Sequence, residues 1–125
     1  MDKDIMLYYI KLVEFLGVVL GPSYEIALYD LRRDDRNIVA ISNGHVSGRS
    51  VGAPLTESVI KSIVSKEFNK MDYKANYNSV SKNNKIYRSS TLYIKNGNND
   101  LIGLLCLNFD DSAFRDLNDK LMGLI

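Results

Sequence analysis

The sequence predicts an α+β fold: an antiparallel sheet of five strands with helices gathered on it. Three observations lead there. Apolar residues recur at helical spacing near each end of the chain and once in its middle. Between these stretches lie five runs that alternate in polarity or are short and strongly apolar, the patterns of strands. Short polar connections separate neighbouring runs, and strands joined by hairpins pair antiparallel. At 125 residues the chain reads as one domain, 1–125, able to bury roughly two-thirds of the surface its unfolded form exposes.

The first helix is expected from the apolar stripe Ile5, Tyr9, Leu12, Val13, Leu16 and Val19-Leu20, with Asp2 and Asp4 as candidate caps. Met6, Ile10 and Phe15 put apolar groups off that stripe. A helix can simply leave a few such groups exposed. Here the surplus forms a second face, which favours packing against a partner, the same helix of a second chain. Gly21-Pro22 ends the helix, because proline disfavours the helical region for the residue before it. Tyr24, Ile26 and Leu28 alternate with Glu25, Ala27 and Tyr29 as a strand. The charged run from Arg32 to Asn37 reads as a solvated hairpin turn, and Ile38 to Ile41 as the second strand.

A loop follows, Asn43-Gly44-His45-Val46-Ser47-Gly48-Arg49-Ser50-Val51-Gly52-Ala53-Pro54-Leu55-Thr56. It holds the chain's one histidine, an arginine four residues on, and glycine at every fourth position. Glycine adopts backbone angles that other residues avoid, so this spacing describes a shaped loop. Polar side chains on a shaped loop between scaffold elements are the raw material of a binding site. Thr56 caps the next helix, whose stripe is Val59, Ile60, Ile63, Val64 and Phe68. Tyr73 to Ser81 reads as a strand and Lys82-Asn83-Asn84-Lys85 as a turn. Ile86 to Ile94 is a strand with Ile86, Arg88, Ser90, Leu92 and Ile94 on one face and Tyr87, Ser89, Thr91 and Tyr93 on the other. Asn96 to Asp100 turns the chain, with Asn96-Gly97 suited to positive backbone angles. Leu101 to Phe109 is the most apolar strand and is expected at the centre of the sheet. A last helix, capped by Asp111 or Ser112, carries Phe114, Leu117, Leu121 and Leu124 and reaches Ile125 without a stop signal, as a connector to a further domain would.

Composition excludes several classes. The net charge of +1 provides no global field for nucleic acid or an anionic membrane. The lone Cys106 permits no internal disulfide, which fits a reducing cytoplasm. The first residues lack the pattern of a secretory signal, and no apolar run is long enough to span a bilayer.

The residues Asn-Gly-His-Val-Ser-Gly-Arg at 43–49, with Gly52, Pro54 and Thr56, resemble the signature loop of the YheO-like PAS domains. Arg88-Ser89-Ser90-Thr91 and the run from Leu101 to Asp110 are similar to that family's last two strands, and the likeness covers nearly the whole chain. The family sits at the N-terminal end of bacterial transcription regulators that carry a C-terminal helix-turn-helix. The resemblance therefore implies a PAS fold, a five-stranded sheet whose concave face and flanking helices enclose a pocket. It also implies a sensory role, with DNA reached only through a C-terminal domain absent here, since no helix-turn-helix follows Ile125.

Candidate chemistry is sparse. His45 has no second histidine or cysteine beside it in sequence, so metal-ligand spacing is missing and no metal is expected. One histidine can serve haem, but this glycine pattern is no specific signal for it. A flavin photosensor of the superfamily needs its cysteine in a helix motif, whereas Cys106 lies on a strand and reads as a small core residue. No cofactor is assigned. A hydrolase would pair His45 with Ser47 or Ser50 and Asp110, yet there is neither a Gly-x-Ser-x-Gly elbow nor a P-loop. The expectation is a non-enzyme. Binding is the better reading. Arg49 offers paired donors for a carboxylate or phosphate, and an Arg88 on an apolar strand face requires a partner. If the face of Arg88 and Ser90 coincides with that of Asn108, these residues and His45 line a mostly apolar cavity with few polar groups. The same groups can instead satisfy loop carbonyls and hold the loop down. The sequence thus leads to a cytoplasmic, dimeric sensor domain. Its ligand is a small polar or anionic molecule held by His45, Arg49, Arg88, Ser90 and Asn108. The alternative is a dimerisation module with no ligand.

Overall fold

The computed structural model describes the backbone of residues 2–80 and 84–124 and the side chains of 5–80 and 84–124. The capping roles of Asp2 and Asp4, and the Lys82-Asn83 part of the expected turn, lie outside those residues. Helix α1 spans Asp2–Leu20, followed by β1 (Tyr24–Asp30) and β2 (Ile38–Ser42). The loop contains a single 3-10 turn at Gly44–Val46 and leads to α2 (Glu57–Val64). Strands β3 (Tyr73–Val80), β4 (Ile86–Lys95) and β5 (Leu101–Phe109) precede α3 (Ser112–Gly123).

The five strands form one sheet in the order β2-β1-β5-β4-β3, antiparallel at every junction. The apolar β5 is the central strand, as expected. Its neighbour β1 is buried on both faces and supplies Ile26 and Leu28, each fully buried. Burying such a side chain contributes about 1.5–3 kcal/mol.

The sheet separates two cores. On the outer face, Met6 and Val13 of α1 pack with Ile26, Leu28, Ile94, Ile102 and Leu105. Ile5, Tyr9, Leu12 and Leu16 join them, so the expected stripe holds over its first four turns. Met6 is inside rather than off the stripe, and Val19 is exposed. On the inner face, Ala27, Tyr29, Ile38, Tyr93, Leu104 and Cys106 form a second core. It is roofed by Ile41, Ala53, Leu55, Val59, Ile63 and Phe68 from the loop, α2 and the turn after it. Only Val59 and Ile63 of α2 point inward. Ile60 and Val64 are exposed, since a helix of two turns presents a narrow face. Thr56 caps it as expected, accepting from Val59 N at 3.3 Å.

Three further expectations change. Asn96-Gly97 turns the chain, but the positive φ falls on Asn99 (67°); Asn96 instead accepts at its side-chain oxygen from the N–H groups of Asn98 and Asp100. Asp111 stands at the start of α3 without a capping hydrogen bond, and its carboxylate pairs with Arg115 at 2.8 Å. The α3 stripe Phe114, Leu117, Leu121 and Leu124 is exposed, with only Phe114 reaching a ring, Phe109 at 5.9 Å.

Helix α1 approaches the sheet edge closely at Gly17. A Cβ built there would stand 2.4 Å from Ser42 Cβ and 2.7 Å from its Oγ, while the Ser42 hydroxyl donates to Val13 O at 2.8 Å. Alanine is the better helix former by about 1 kcal/mol, yet Gly17→Ala is expected to destabilise the domain by about 1–3 kcal/mol through overpacking. Gly123→Ala, with no atom within 4 Å of the new methyl, is expected to stay within about 0.5 kcal/mol of the parent. Urea denaturation of the two variants checks the difference.

Candidate functional site

The signature loop is held by its own polar residues. Asn43 sits in the left-handed region (φ 55°), and its side-chain amide donates to the carbonyls of Gly17 (3.1 Å), Gly21 (3.0 Å) and Tyr24 (2.8 Å). It thereby ties a carbonyl in the last turn of α1 to the turn and strand that follow. Gly48 and Gly52 have positive φ (78° and 93°). Gly44 is required for space instead, since a Cβ there would meet Arg49 O at 2.5 Å. His45 is exposed, and its ring Nε2–H donates to Pro22 O at 2.9 Å. Arg49 lies over the Tyr29 ring at 5.8 Å and donates to Pro54 O. Tyr29 is buried, which pushes its phenol pKa up.

Beneath the loop lies a buried carboxylate that sequence reading passed over as an ordinary strand residue. Glu25 is 1% exposed. Its Oε2 accepts from Ser47 N at 3.1 Å and from the Ser47 hydroxyl, and its Oε1 accepts from Asn108 Nδ2 at 3.1 Å. Asn108 Oδ1 accepts from Ser89 Oγ at 2.7 Å, and Ser89 Oγ contacts Ser79 Oγ at 2.6 Å. Register explains the chain of contacts: Glu25 pairs with Asn108 and Asn108 with Ser89 across three adjacent strands, all on the inner face. The clue in the sequence was an acid at an alternation position flanked by Tyr24 and Ile26, with Asn108 at the end of the most apolar strand.

Ser79 opens into a cleft of about 240 Å³ between α2 and strands β3 and β4. Ser58, Val59, Ser62, Lys74, Tyr77, Asn78, Val80, Thr91, Tyr93 and Leu104 complete its walls. Four of its hydroxyls are organised in two pairs. Tyr77 OH meets Thr91 Oγ1 at 2.6 Å, and Thr91 reaches Cys106 Sγ at 3.7 Å. Ser62 Oγ and Tyr93 OH, 3.0 Å apart, both donate to Glu67 Oε2 at 2.9 and 3.2 Å. Burial raises the pKa of Tyr77 and of Tyr93, keeping both protonated.

The structure does not bring the five expected site residues together. Arg88 and Ser90 are on the outer face, opposite Asn108. Arg88 is exposed within 4.0 Å of Asp111, and Ser90 Oγ accepts from Asn76 N at 3.0 Å. The face of β4 that shares Asn108's side is the other one, Tyr87, Ser89, Thr91 and Tyr93. The reason is register: Ser89, not Arg88 or Ser90, is opposite Asn108. Ile102 also leaves the face of Leu104 and Cys106 for the outer core, beyond a register shift between Ile94 and Lys95. His45 and Arg49 hold loop carbonyls. The residues of the hydrolase alternative are likewise engaged apart: His45 with Pro22, Ser47 with Glu25, and Asp110 with Lys85 at 2.9 Å. Among the described residues no three His, Cys, Asp or Glu side chains gather as a metal site, and no helix is long and apolar enough to cross a membrane.

Sheet order and roofed inner face together define a PAS domain, a sensory and regulatory module generally without enzymatic activity. The chain belongs to the YheO-like PAS domain family, whose model matches residues 1–125. It is 28% identical over 109 residues to the uncharacterised protein YheO of Escherichia coli, covering 87% of this chain and 45% of that one. An uncharacterised Haemophilus influenzae protein is also 28% identical over 109 residues, with 87% and 48% covered. The chain thus spans just under half the length of these relatives. Among solved structures, the PAS domain of a Colwellia psychrerythraea protein aligns with TM-score 0.53 at 19% identity, over 85% of this chain and 96% of that one. An RNA-binding light-oxygen-voltage receptor aligns with TM-score 0.53 at 13% identity, over 82% and 33%.

Cys106 tests the packing of this face. Burial in the inner core pushes its thiol pKa up to about 11 from 9.0. The thiolate is the reactive form, so alkylation at pH 8 is expected to be negligible in the native protein and to become fast on denaturation. Rapid native labelling with a thiol reagent would contradict the closed inner core.

Proposed function

We propose that this domain is the ligand-sensing part of a bacterial, cytoplasmic transcription regulator. It takes a small polar molecule in the cleft between α2 and β3–β4 and signals through a dimer to a DNA-binding domain elsewhere in the full protein. One observation carries the reading: the cleft wall is connected by successive hydrogen bonds, Ser79–Ser89–Asn108–Glu25–Ser47, to the signature loop. The same loop, through Asn43, holds the end of α1. A ligand that pulls on Ser79 therefore acts on a connected set of polar groups ending at a helix terminus. Ligands shift such a protein only through different affinity for its two arrangements. The apolar groups Leu7, Tyr8, Phe15, Val18 and Val19 on the free side of α1 favour that helix as the dimer contact. In this reading His45 and Arg49 position the loop, Asn108 relays the contact, and Ser62, Thr91 and Tyr93 touch the ligand.

Thermal-shift screening against amino acids, organic acids, amines, sugars and nucleotides identifies the ligand class. Thr91→Val and Ser62→Ala are expected to weaken the best hit roughly tenfold each, the value of one hydrogen bond in a dry site. Equal loss from Arg88→Ala, with none from these two, would move the site to the outer face. A second reading is supported by the exposed stripe of α3: a dimerisation module with no ligand. The screen separates them, and sedimentation checks the dimer that both contain. Val18→Asp is expected to convert a dimer formed through α1 to monomers and to leave one formed through α3 intact, and a monomeric parent would overturn the dimer in both. Absence of any hit in the screen, with the dimer intact, favours the second reading.

A further inference from the structure

We infer that the cleft selects a ligand whose buried end donates hydrogen bonds, a primary amine or ammonium group, and rejects carboxylates of the same size. The inference rests on the cleft reading above and sharpens it. It follows from where the protons go.

A carboxylate only accepts. Glu25 Oε1 is met by Asn108, so the amide must turn its NH₂ toward Glu25 and its oxygen toward Ser89. Ser89 has one proton, and it is given to that oxygen at 2.7 Å. The 2.6 Å contact between Ser89 and Ser79 can then be a hydrogen bond only if Ser79 is the donor. Ser79 is left facing the cleft with lone pairs. The opposite wall repeats the pattern. Ser62 and Tyr93 share two protons, and both are held within the trio they form with Glu67. What these two hydroxyls present to the cleft is again lone pairs. Tyr77 and Thr91 commit one proton to each other, and Thr91 has the Cys106 sulfur as a further partner. Two carboxylates, Glu25 behind one wall and Glu67 behind the other, thus orient Ser79, Ser62 and Tyr93 so that they accept; Tyr77 and Thr91 bond to each other and are oriented by neither. Three fixed acceptors, backed by the buried Glu25 and the half-buried Glu67, fit N–H donors and leave an anion's lone pairs facing lone pairs. Lys74 is the cationic residue of the lining. It is exposed, and its ammonium stands over the Tyr77 ring, 4.9 Å from the centroid. At about 240 Å³ the cleft suits a small molecule.

The test is calorimetric titration of the whole domain with ethanolamine, propylamine, propionate and glycerol. Saturable binding of the amines, with propionate at least roughly tenfold weaker, is expected from one mismatched polar pair. Glu25→Gln keeps the shape but lets Asn108, Ser89 and Ser79 reverse, so the preference for amine over propionate is expected to shrink; Glu67→Gln does the same at the other wall if the first variant fails to fold. Propionate binding with no amine binding overturns the inference and leaves the sensing reading standing. Glycerol binding alone does likewise. Binding of none of the four overturns the inference, and the broad thermal-shift screen then decides the fate of sensing separately.

Discussion

A single buried carboxylate organises the inner half of this domain. Bringing Glu25 out of water costs several kcal/mol. Hydrogen bonds to a charged group each contribute about 1.5–3 kcal/mol, so the two from Ser47 and the one from Asn108 offset that cost only if all three form. The arrangement is therefore cooperative. The loop must close on β1, β5 must lie beside β1 in the observed register, and Asn108 must keep one orientation. A slip of one residue between β1 and β5 would carry Asn108 to the far side and leave the carboxylate short of a donor. The apolar residues of both strands make the sheet favourable; this polar contact selects which sheet.

The loop's geometry follows from that demand. Ser47 reaches Glu25 because the chain turns tightly at Gly44–Val46 and reverses again at Gly48. His45 and Arg49 flank it and hold the turn from outside through Pro22 and Pro54. Asn43 then fastens the turn's first residue to three carbonyls around the end of α1. Residues whose types suggest ligand chemistry are here occupied in joining a helix end, a loop and a sheet into one unit. The groups facing the cleft are serine, threonine and tyrosine, residue types too common in sequence to draw attention.

That difference measures what could be read from sequence. Element order, the central place of β5, the cap at Thr56 and the family likeness were all visible, because periodicity and turn chemistry are local. The face of Arg88 and that of Asn108 do not coincide, because alternation divides a strand into two sets without saying which set shares a side with a neighbouring strand's. Only pairing with Asn108 settles that, and pairing is set by residues far away in the chain. Glu25 was missed for a related reason. Its neighbours read as a half-exposed strand, whereas β1 is covered on both sides, by α1 and by the loop. The α3 stripe was legible as a helix, but what such a stripe packs against is not written in its spacing.

The edge of the sheet has one more lesson. Strand β3 is an outer strand with Tyr73 and Val80 exposed, the sort of border on which polypeptides stack into fibrils. Its ladder to β4 is broken between Lys74 and Tyr77, where Asn76 takes a left-handed conformation (φ 56°). The kink leaves no long straight row of backbone groups for a stranger to copy, so this border of the sheet is kept from growing into an aggregate.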